Sequence, residues 1–385
     1  MRTQVCVIGA GPAGLTLAHL LHRQGIECVV IEAQSQAHIE SRVRAGVLEQ
    51  PTVDLLTEIG LADRLRREGM LHHGINLRFD GATHRIDFAE LTGGQAITVY
   101  AQQELVKDLI ASLAPPILFE VDSVRVDDTR VSFVHEGVER TVDCDFVAGC
   151  DGFHGVSRAS IPTGALSAYE RVYPCAWLGI LARTKPAAEE LIYARHPDGF
   201  ALHSMRGPTV TRQYLQVPPD TSLTDWPDDR IWAALSRRLG EPGLEQGEIF
   251  DRGVTALRSF VVEPMRHGSL FLVGDSAHIV PATGAKGLNL AVADAVALSY
   301  GLGAHYAGTP DELAKYSARC LRRVWQVQHF SWWMTALLHN LTGTDAFDER
   351  LRHAELDRVV AAPSAARNLA ENYVGLPFAV GWSWR

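Results

Sequence analysis

The chain has 385 residues, with 36 basic against 45 acidic side chains and a formal net charge of −9; the length suits two or three domains, or one large domain with an insertion. A hydrophobic share of 46% and a charged share of 21% exclude a disordered chain. The acidic balance argues against nucleic acid or an anionic membrane as a partner, since both need a basic footprint, but it leaves room for a local basic pocket that takes a small anion.

Val5, Cys6, Val7 and Ile8 form a short apolar run of the kind found in a buried parallel strand. A glycine-rich turn follows, and Leu15, Leu17, Ala18, Leu20 and Leu21 share a helix face that ends at Gly25. Residues 28–31 form a second buried strand closing on Glu32, which completes a βαβ unit in about thirty residues. The N-terminus superficially suggests a signal peptide. Gly9, Gly11, Pro12 and Gly14 interrupt its apolar run and no small-residue cleavage site follows, so it is read as mature structure.

A polar loop over 34–44 precedes an expected helix over 49–67. Strand-like alternation appears at 75–79 and 85–88, a helix near 102–114, strands near 117–120 and 131–134, and an apolar run over 144–150 that ends at Asp151-Gly152. From 176 to 262 the pattern is that of an antiparallel sheet, with a Pro/Asp loop at 218–229 and one amphipathic helix at 231–239. The apolar residues 270–273 end at Gly274-Asp275, and the rest reads as helical. Asp294 and His305 interrupt the apolar stretch 288–307, so no membrane span is expected. The six cysteines are scattered without a CxxC pair, which points to a reducing, cytoplasmic setting with neither a disulfide framework nor a zinc site.

The fold class is therefore α/β, a Rossmann-type dinucleotide domain interrupted by an antiparallel-sheet domain and closed by helices. The expected division assigns 1–72, 98–175 and 266–290 to the dinucleotide domain, 73–97 and 176–265 to the sheet domain, and 291–385 to a helical region.

Gly9-Ala10-Gly11-Pro12-Ala13-Gly14 is a G-x-G-x-x-G between strand and helix. Gly9 permits the tight turn, Gly11 lets a pyrophosphate reach the backbone, and Gly14 lets helix and strand pack closely. The helix N-terminus offers amide donors to phosphate, and Glu32 stands where an acid hydrogen-bonds a ribose hydroxyl. Asp151 and Asp275 end two further strands as additional dinucleotide contacts. Other constellations fail. Asp275, Ser276 and His278 are too close in sequence to form a hydrolytic relay, and the adjacent His72 and His73 make a poor metal pair, so no metal site is expected.

Four segments extend this pattern: 42–50 (RVRAGVLEQ), 149–155 (GCDGFHG), 257–265 (LRSFVVEPM) and 371–377 (ENYVGLP). With the glycine turn and Gly274-Asp275, the sequence resembles the flavin-dependent aromatic hydroxylases end to end, and within them those acting on 4-hydroxybenzoate. The resemblance implies FAD, contacted by Ala13, Glu32, Arg42, Arg44, Val47, Gln102, Asp275, Leu288 and Asn289 in addition to the turn glycines. It implies NADH or NADPH as a transient reductant. His154, Arg258 and Arg44 would meet the pyrophosphate, with Gln34 and His38 on the nucleotide's far side. Members preferring NADPH carry arginine and tyrosine where this chain has Ala33 and His38, so NADH or dual use is expected.

A small aromatic acid and O2 are the implied substrates, with hydroxylation ortho to the phenol by a flavin C4a-hydroperoxide. Ser204 and Arg206 share a strand face by period two, and there Arg206 grips the carboxylate while Ser204 and Tyr214 add donors. Tyr193 would touch the phenol and pass its proton to Tyr373, then to His72, which exchanges with water. Ala282 and Thr283 face the phenol end. Ala282 stands in place of the family's usual proline, which leaves open whether the para substituent is hydroxyl or amine. The family also implies a homodimer, joined through the apolar C-terminal helices. Two rivals remain at this stage: a flavoprotein that senses aromatics without turnover, and a nicotinamide-only dehydrogenase.

Overall fold

The computed structural model describes every residue except 44, 45, 342, 344 and 380–385. Its first layer is a six-stranded sheet ordered Arg266–His267, Leu270–Leu272, Phe146–Gly149, Val5–Ile8, Cys28–Ile31 and Ile117–Leu118. Every pair in it is parallel except the edge hairpin 266–272. Val5–Ile8 and Cys28–Ile31 are buried throughout, as strands covered on both faces must be. Helix Pro12–Arg23 opens with proline in its first turn and packs against helix Gly287–Tyr306.

The second layer is an eight-stranded sheet ordered His278–Ile279, Ile249–Glu263, Ser167–Ala182, Val210–Val217, Ala201–Gly207, Ile192–Ala194, Gly74–Phe79 and Ala82–Asp87. Alternation along its strands divides two cores. Ile192, Ala201, Leu215 and Leu178 face helix Asp228–Leu239. Tyr193, Leu202 and Tyr214 belong to the opposite face, with residues of helices Tyr316–Leu338 and Pro363–Val374. Two smaller three-stranded sheets complete the β-structure, one of Asp122–Asp127, Arg130–His135 and Val138–Asp143, the other of Val47–Leu48, Ile97–Val99 and Met70–His72.

Several expectations need correction. The helix over 49–67 is two, Gln50–Glu58 and Asp63–Glu68, because Gly60 takes a left-handed φ of 77° between them. The loop 34–44 contains helix Gln36–Ser41, capped by the Ser35 hydroxyl accepting from His38 N–H. The large sheet is mixed, since Ile192–Ala194 runs parallel to Gly74–Phe79. Strand Ser167–Ala182 starts ahead of the boundary expected at 176. Asp294 and His305 do not break the apolar stretch near 288–307. It forms one helix, Gly287–Tyr306, long and apolar enough to cross a membrane, with 72% of its apolar window buried inside the protein.

Candidate active site

Gly9 has φ 106°, and a Cβ there would lie 2.4 Å from the Cys150 carbonyl oxygen. A Cβ on Gly14 would lie 2.0 Å from the Gly9 carbonyl oxygen, whereas one on Gly11 would meet no atom within 4 Å. Two glycines are thus fixed by close packing, and the third leaves open the approach that a pyrophosphate needs. The Glu32 carboxylate ties the turn together: Oε2 accepts from Ala10 N–H and Oε1 from Gln34 N–H, both at 2.8 Å. The donor set and the open approach fit a bound dinucleotide.

Asp151 and Asp275 end their strands differently. Asp151 Oδ2 accepts from Ser157 N–H (2.8 Å) and Oγ (2.9 Å), so this carboxylate anchors the start of the short helix Val156–Ala159. Its Oδ1 is buried without a partner, and burial raises its pKa. Asp275 is exposed at a turn made by Gly274, whose φ is 66°. Beneath that turn Asp294 Oδ2 accepts from Gly274 N–H (3.0 Å) and lies 2.6 Å from His278 Nε2. Burial alone would lower the His278 pKa, but the Asp294 carboxylate outweighs it and the net shift is upward.

The Asn289 side chain knits segment 47–52 to the start of helix Gly287–Tyr306. Its Oδ1 accepts from Glu49 N–H and Thr52 Oγ, and its Nδ2 donates to the Val47 carbonyl, all at 2.9 Å. Ala13 is buried, Val47, Gln102 and Leu288 are half-buried, and Arg42 is exposed; Arg44 lies outside the described residues.

Cross-strand register assembles the second half of the site. Tyr193 pairs with Leu202, Leu202 with Tyr214, and Ser204 with Arg212, which puts Tyr193, Ser204, Tyr214 and Arg212 on one face. Arg206 sits where the register shifts, and its Nη1 donates to Ser204 Oγ (3.2 Å) and to the Met205 carbonyl (3.0 Å). Its Nε is buried with no partner, as are Nε and Nη1 of Arg212. Gly179, opposite Tyr214, makes room, since a Cβ there would lie 3.3 Å from Arg212 Nη2 and from the Tyr214 ring. Two half-buried arginines whose buried donors are unpaired offer the chemistry an anion needs.

Tyr193 and Tyr373, each 1% exposed, meet hydroxyl to hydroxyl at 2.5 Å. Tyr193 also donates to the Thr283 carbonyl at 3.2 Å. Burial pushes both phenols well above the ordinary tyrosine range, so each is a neutral donor and acceptor at physiological pH. His72, expected at the end of the proton relay, lies on strand Met70–His72. It is 1% exposed, with both ring nitrogens unpartnered and therefore no hydrogen bond to Tyr373. Burial, reinforced by His73, lowers its pKa to about 4 against the pull of Glu190, which keeps the ring neutral.

The carbonyl of Ala282 accepts from Ala285 N–H (2.9 Å), closing the loop around Thr283. His154 and Arg258 come together around Phe153, with the Arg258 guanidinium 4.6 Å from the ring centroid and the His154 ring 4.9 Å away. Gln34 and His38 are exposed, beside and on helix Gln36–Ser41.

Sequence reasoning missed three members of the site. Arg212 is one. The others are Lys286 and Glu49, an ion pair (Nζ to Oε1 3.0 Å) buried beneath Tyr373, whose carbonyl also accepts from Lys286 at 2.8 Å. A lysine opening an otherwise apolar helix was the available signal, because a buried ammonium requires an acid.

The comparisons with known proteins agree with this geometry. The family described as "FAD binding domain" matches residues 2–331. The p-hydroxybenzoate hydroxylase of Acinetobacter baylyi is 45% identical over 99% of this chain and 97% of its own length. The 6-methylpretetramide 4-monooxygenase of Streptomyces rimosus is 28% identical over 77% and 74%. In fold the chain is similar to p-nitrophenol 4-monooxygenase from Pseudomonas putida, with a TM-score of 0.82, 19% identity, and coverage of 97% of this chain and 98% of that one. Family match, full-length similarity and a dinucleotide turn joined to a buried tyrosine–arginine face make this chain a member of the flavin-dependent aromatic hydroxylases, with FAD as its cofactor.

Proposed function

We propose that the protein hydroxylates 4-hydroxybenzoate at the 3-position to 3,4-dihydroxybenzoate. The balance is substrate, O2, NAD(P)H and a proton in, and product, water and NAD(P)+ out. The observation that carries this reading is one sheet face with the unpaired Nε of Arg206 at one end and Tyr193, bonded to Tyr373, at the other. Arg206 stands four residues along its strand from Leu202, the partner of Tyr193, or about 13 Å. That span suits a para-substituted benzoate hydrogen-bonded at both ends. Residues Gly9, Gly11, Ala13, Gly14, Glu32, Arg42, Val47, Gln102, Asp275, Leu288 and Asn289 would hold FAD, which supplies activated oxygen once a nicotinamide nucleotide has reduced it.

The protein's own part is orientation and proton handling. Arg206 and Ser204 hold the carboxylate, with Tyr214 on the same face. A phenol has a pKa of ~10, so ionising it at pH 8 costs about 3 kcal/mol unless the site compensates. Tyr193 donates to the phenolate oxygen, Tyr373 donates to Tyr193, and this charge-assisted bond is worth ~1.5–3 kcal/mol. The buried His72 ring is neutral and has acceptor capacity for the outgoing proton. Asp151 acts on this site by shaping the turn before helix Val156–Ala159.

The reductant docks transiently at His154 and Arg258, with Gln34 and His38 toward its far end. Ala33 and His38 support NADH or dual use, because neither offers a strong cation to a 2′-phosphate. Comparing kcat/KM with NADH and NADPH checks this, and a strong NADPH preference refutes it. We further assign the protein to the cytoplasm as a homodimer, its exposed Trp325 and Trp332 on helix Tyr316–Leu338 supplying apolar contact between copies. Sedimentation of the parent and of Trp332→Glu tests the dimer.

The decisive assay follows substrate-stimulated NAD(P)H oxidation with 4-hydroxy-, 4-amino- and 3-hydroxybenzoate and identifies each product. Formation of 3,4-dihydroxybenzoate from the first compound is the expected result. An inert 4-hydroxybenzoate beside a turned-over 4-aminobenzoate moves the assignment to the amine.

A further inference from the structure

The loop that accepts from Tyr193 is held by a helix that touches neither tyrosine hydroxyl. Thr335, on helix Tyr316–Leu338, has its Oγ 2.7 Å from the Ser331 carbonyl oxygen and 2.9 Å from Thr283 Oγ. Both threonines are fully buried. The Thr335 hydroxyl is the donor to both oxygens, shared between the carbonyl four residues back and the Thr283 side chain. Thr283 Oγ accepts from Thr335, and this contact fixes the Thr283 rotamer against the helix. One residue on, a Cβ at Gly284 would lie 2.8 Å from the buried Ser331 Oγ, so the same helix face presses directly on the loop backbone. The Thr283 carbonyl is left facing the Tyr193 hydroxyl.

Counting protons gives this contact a consequence. The Tyr193 hydroxyl has one proton and two acceptors in reach, the Thr283 carbonyl oxygen and the Tyr373 oxygen. While the proton rests on Thr283, Tyr373 donates to Tyr193. A bound phenolate needs that same Tyr193 proton, so the Thr283 carbonyl competes with it. A neutral phenol needs only the Tyr193 oxygen and leaves the carbonyl bonded.

We propose that Thr335 is a positioning residue: it holds the Thr283 carbonyl in place as the alternative acceptor for the Tyr193 proton, and so sets how readily a bound phenol ionises. The proposal rests on the substrate reading above. It deepens that reading by assigning control of the ionisation step to a helix outside the pocket.

The test is a spectroscopic titration of 4-hydroxybenzoate bound to the FAD-loaded protein, following phenolate absorbance from pH 6 to 10. Thr335→Val keeps the side-chain shape and removes the hydroxyl that donates to Thr283. It lowers the apparent pKa of the bound phenol by about half to one unit, the equivalent of one neutral hydrogen bond. Thr283→Val breaks the same contact from the loop side and shifts the value in the same direction. Thr335→Ser restores the parent value. A lower melting temperature with the bound-phenol pKa unchanged or raised in the valine variants overturns the proposal, since that is what a purely structural contact gives. Failure of the parent protein to bind 4-hydroxybenzoate overturns the substrate assignment, and this proposal with it.

Discussion

Arg206 carries one charge in a buried setting, and burial pushes its guanidinium down from the usual arginine range. The fold holds that charge with one hydroxyl and one carbonyl, leaving Nε for a ligand. Arg206→Ala therefore weakens binding of the aromatic acid by ~1.5–3 kcal/mol, roughly ten- to 150-fold in Kd. Arg206→Lys recovers only part, because an ammonium lacks the planar fork. Perturbation of the flavin spectrum on titration with 4-hydroxybenzoate measures both, and an unchanged Kd in Arg206→Ala removes the guanidinium from the site. At the other end, Tyr193→Phe deletes the hydroxyl that joins Thr283 and Tyr373 and that the proposed function places against the phenol. The hydroxylation rate should fall by about 100-fold or more, the usual scale for losing a positioned proton-transfer group, while substrate Kd changes far less. Single-turnover product formation reads the two effects apart.

Loop 281–285, where the resemblance expects a proline in place of Ala282, is also the element the helix holds. Pro281 has φ −56° and ψ 137°, the extended conformation that a residue before proline requires, and Ala282 opens the short 3-10 turn Ala282–Gly284. An N–H at that first position has no partner within the turn. Ala282→Pro should therefore fit and stabilise the protein by about 0.4–1 kcal/mol through the unfolded state, seen as a raised Tm. A lowered Tm means the Ala282 N–H is in use. Legibility in the sequence follows the range of each contact. The glycine turn and Glu32 are readable because the parts of a βαβ unit lie within thirty residues, and Ser204–Arg206 because alternation is local. The Tyr193–Tyr373 contact spans 180 residues and Lys286–Glu49 spans 237. No periodicity encodes such pairs, so the tyrosines came only through resemblance and the ion pair did not come at all. The burial of His72 is non-local too, since it comes from pairing with Ile97 in a covered strand.

Across the whole molecule, buried histidines make stability depend on pH in a direction that can be worked out. His72 and His339 are held neutral, with pKa values lowered to about 4 and about 3, in both cases chiefly by burial. His339 is further fixed as one tautomer, because Nε2 accepts from Trp177 Nε1–H (2.7 Å) and Nδ1 donates to the Thr335 carbonyl (3.0 Å). In the unfolded chain both rings titrate near 6.5. Between pH 6.5 and 4 the unfolded state therefore binds two protons that the folded state refuses, and stability falls as pH falls. The two groups together contribute a slope of up to ~2.7 kcal/mol per pH unit near pH 5. His278 acts in the opposite sense. Its pKa is raised, so its contribution is complete below 6.5 and is lost as pH climbs through the folded value. Urea melts at pH 5, 6.5 and 8 should place the maximum near neutrality, with the steeper limb on the acid side. His72→Gln should flatten that limb by about one proton, since the ring has no partner whose loss would confuse the reading. A parent protein equally stable at pH 5 and 6.5, or a variant with an unaltered acid slope, would show that His72 takes up its proton in the folded state and is open to solvent.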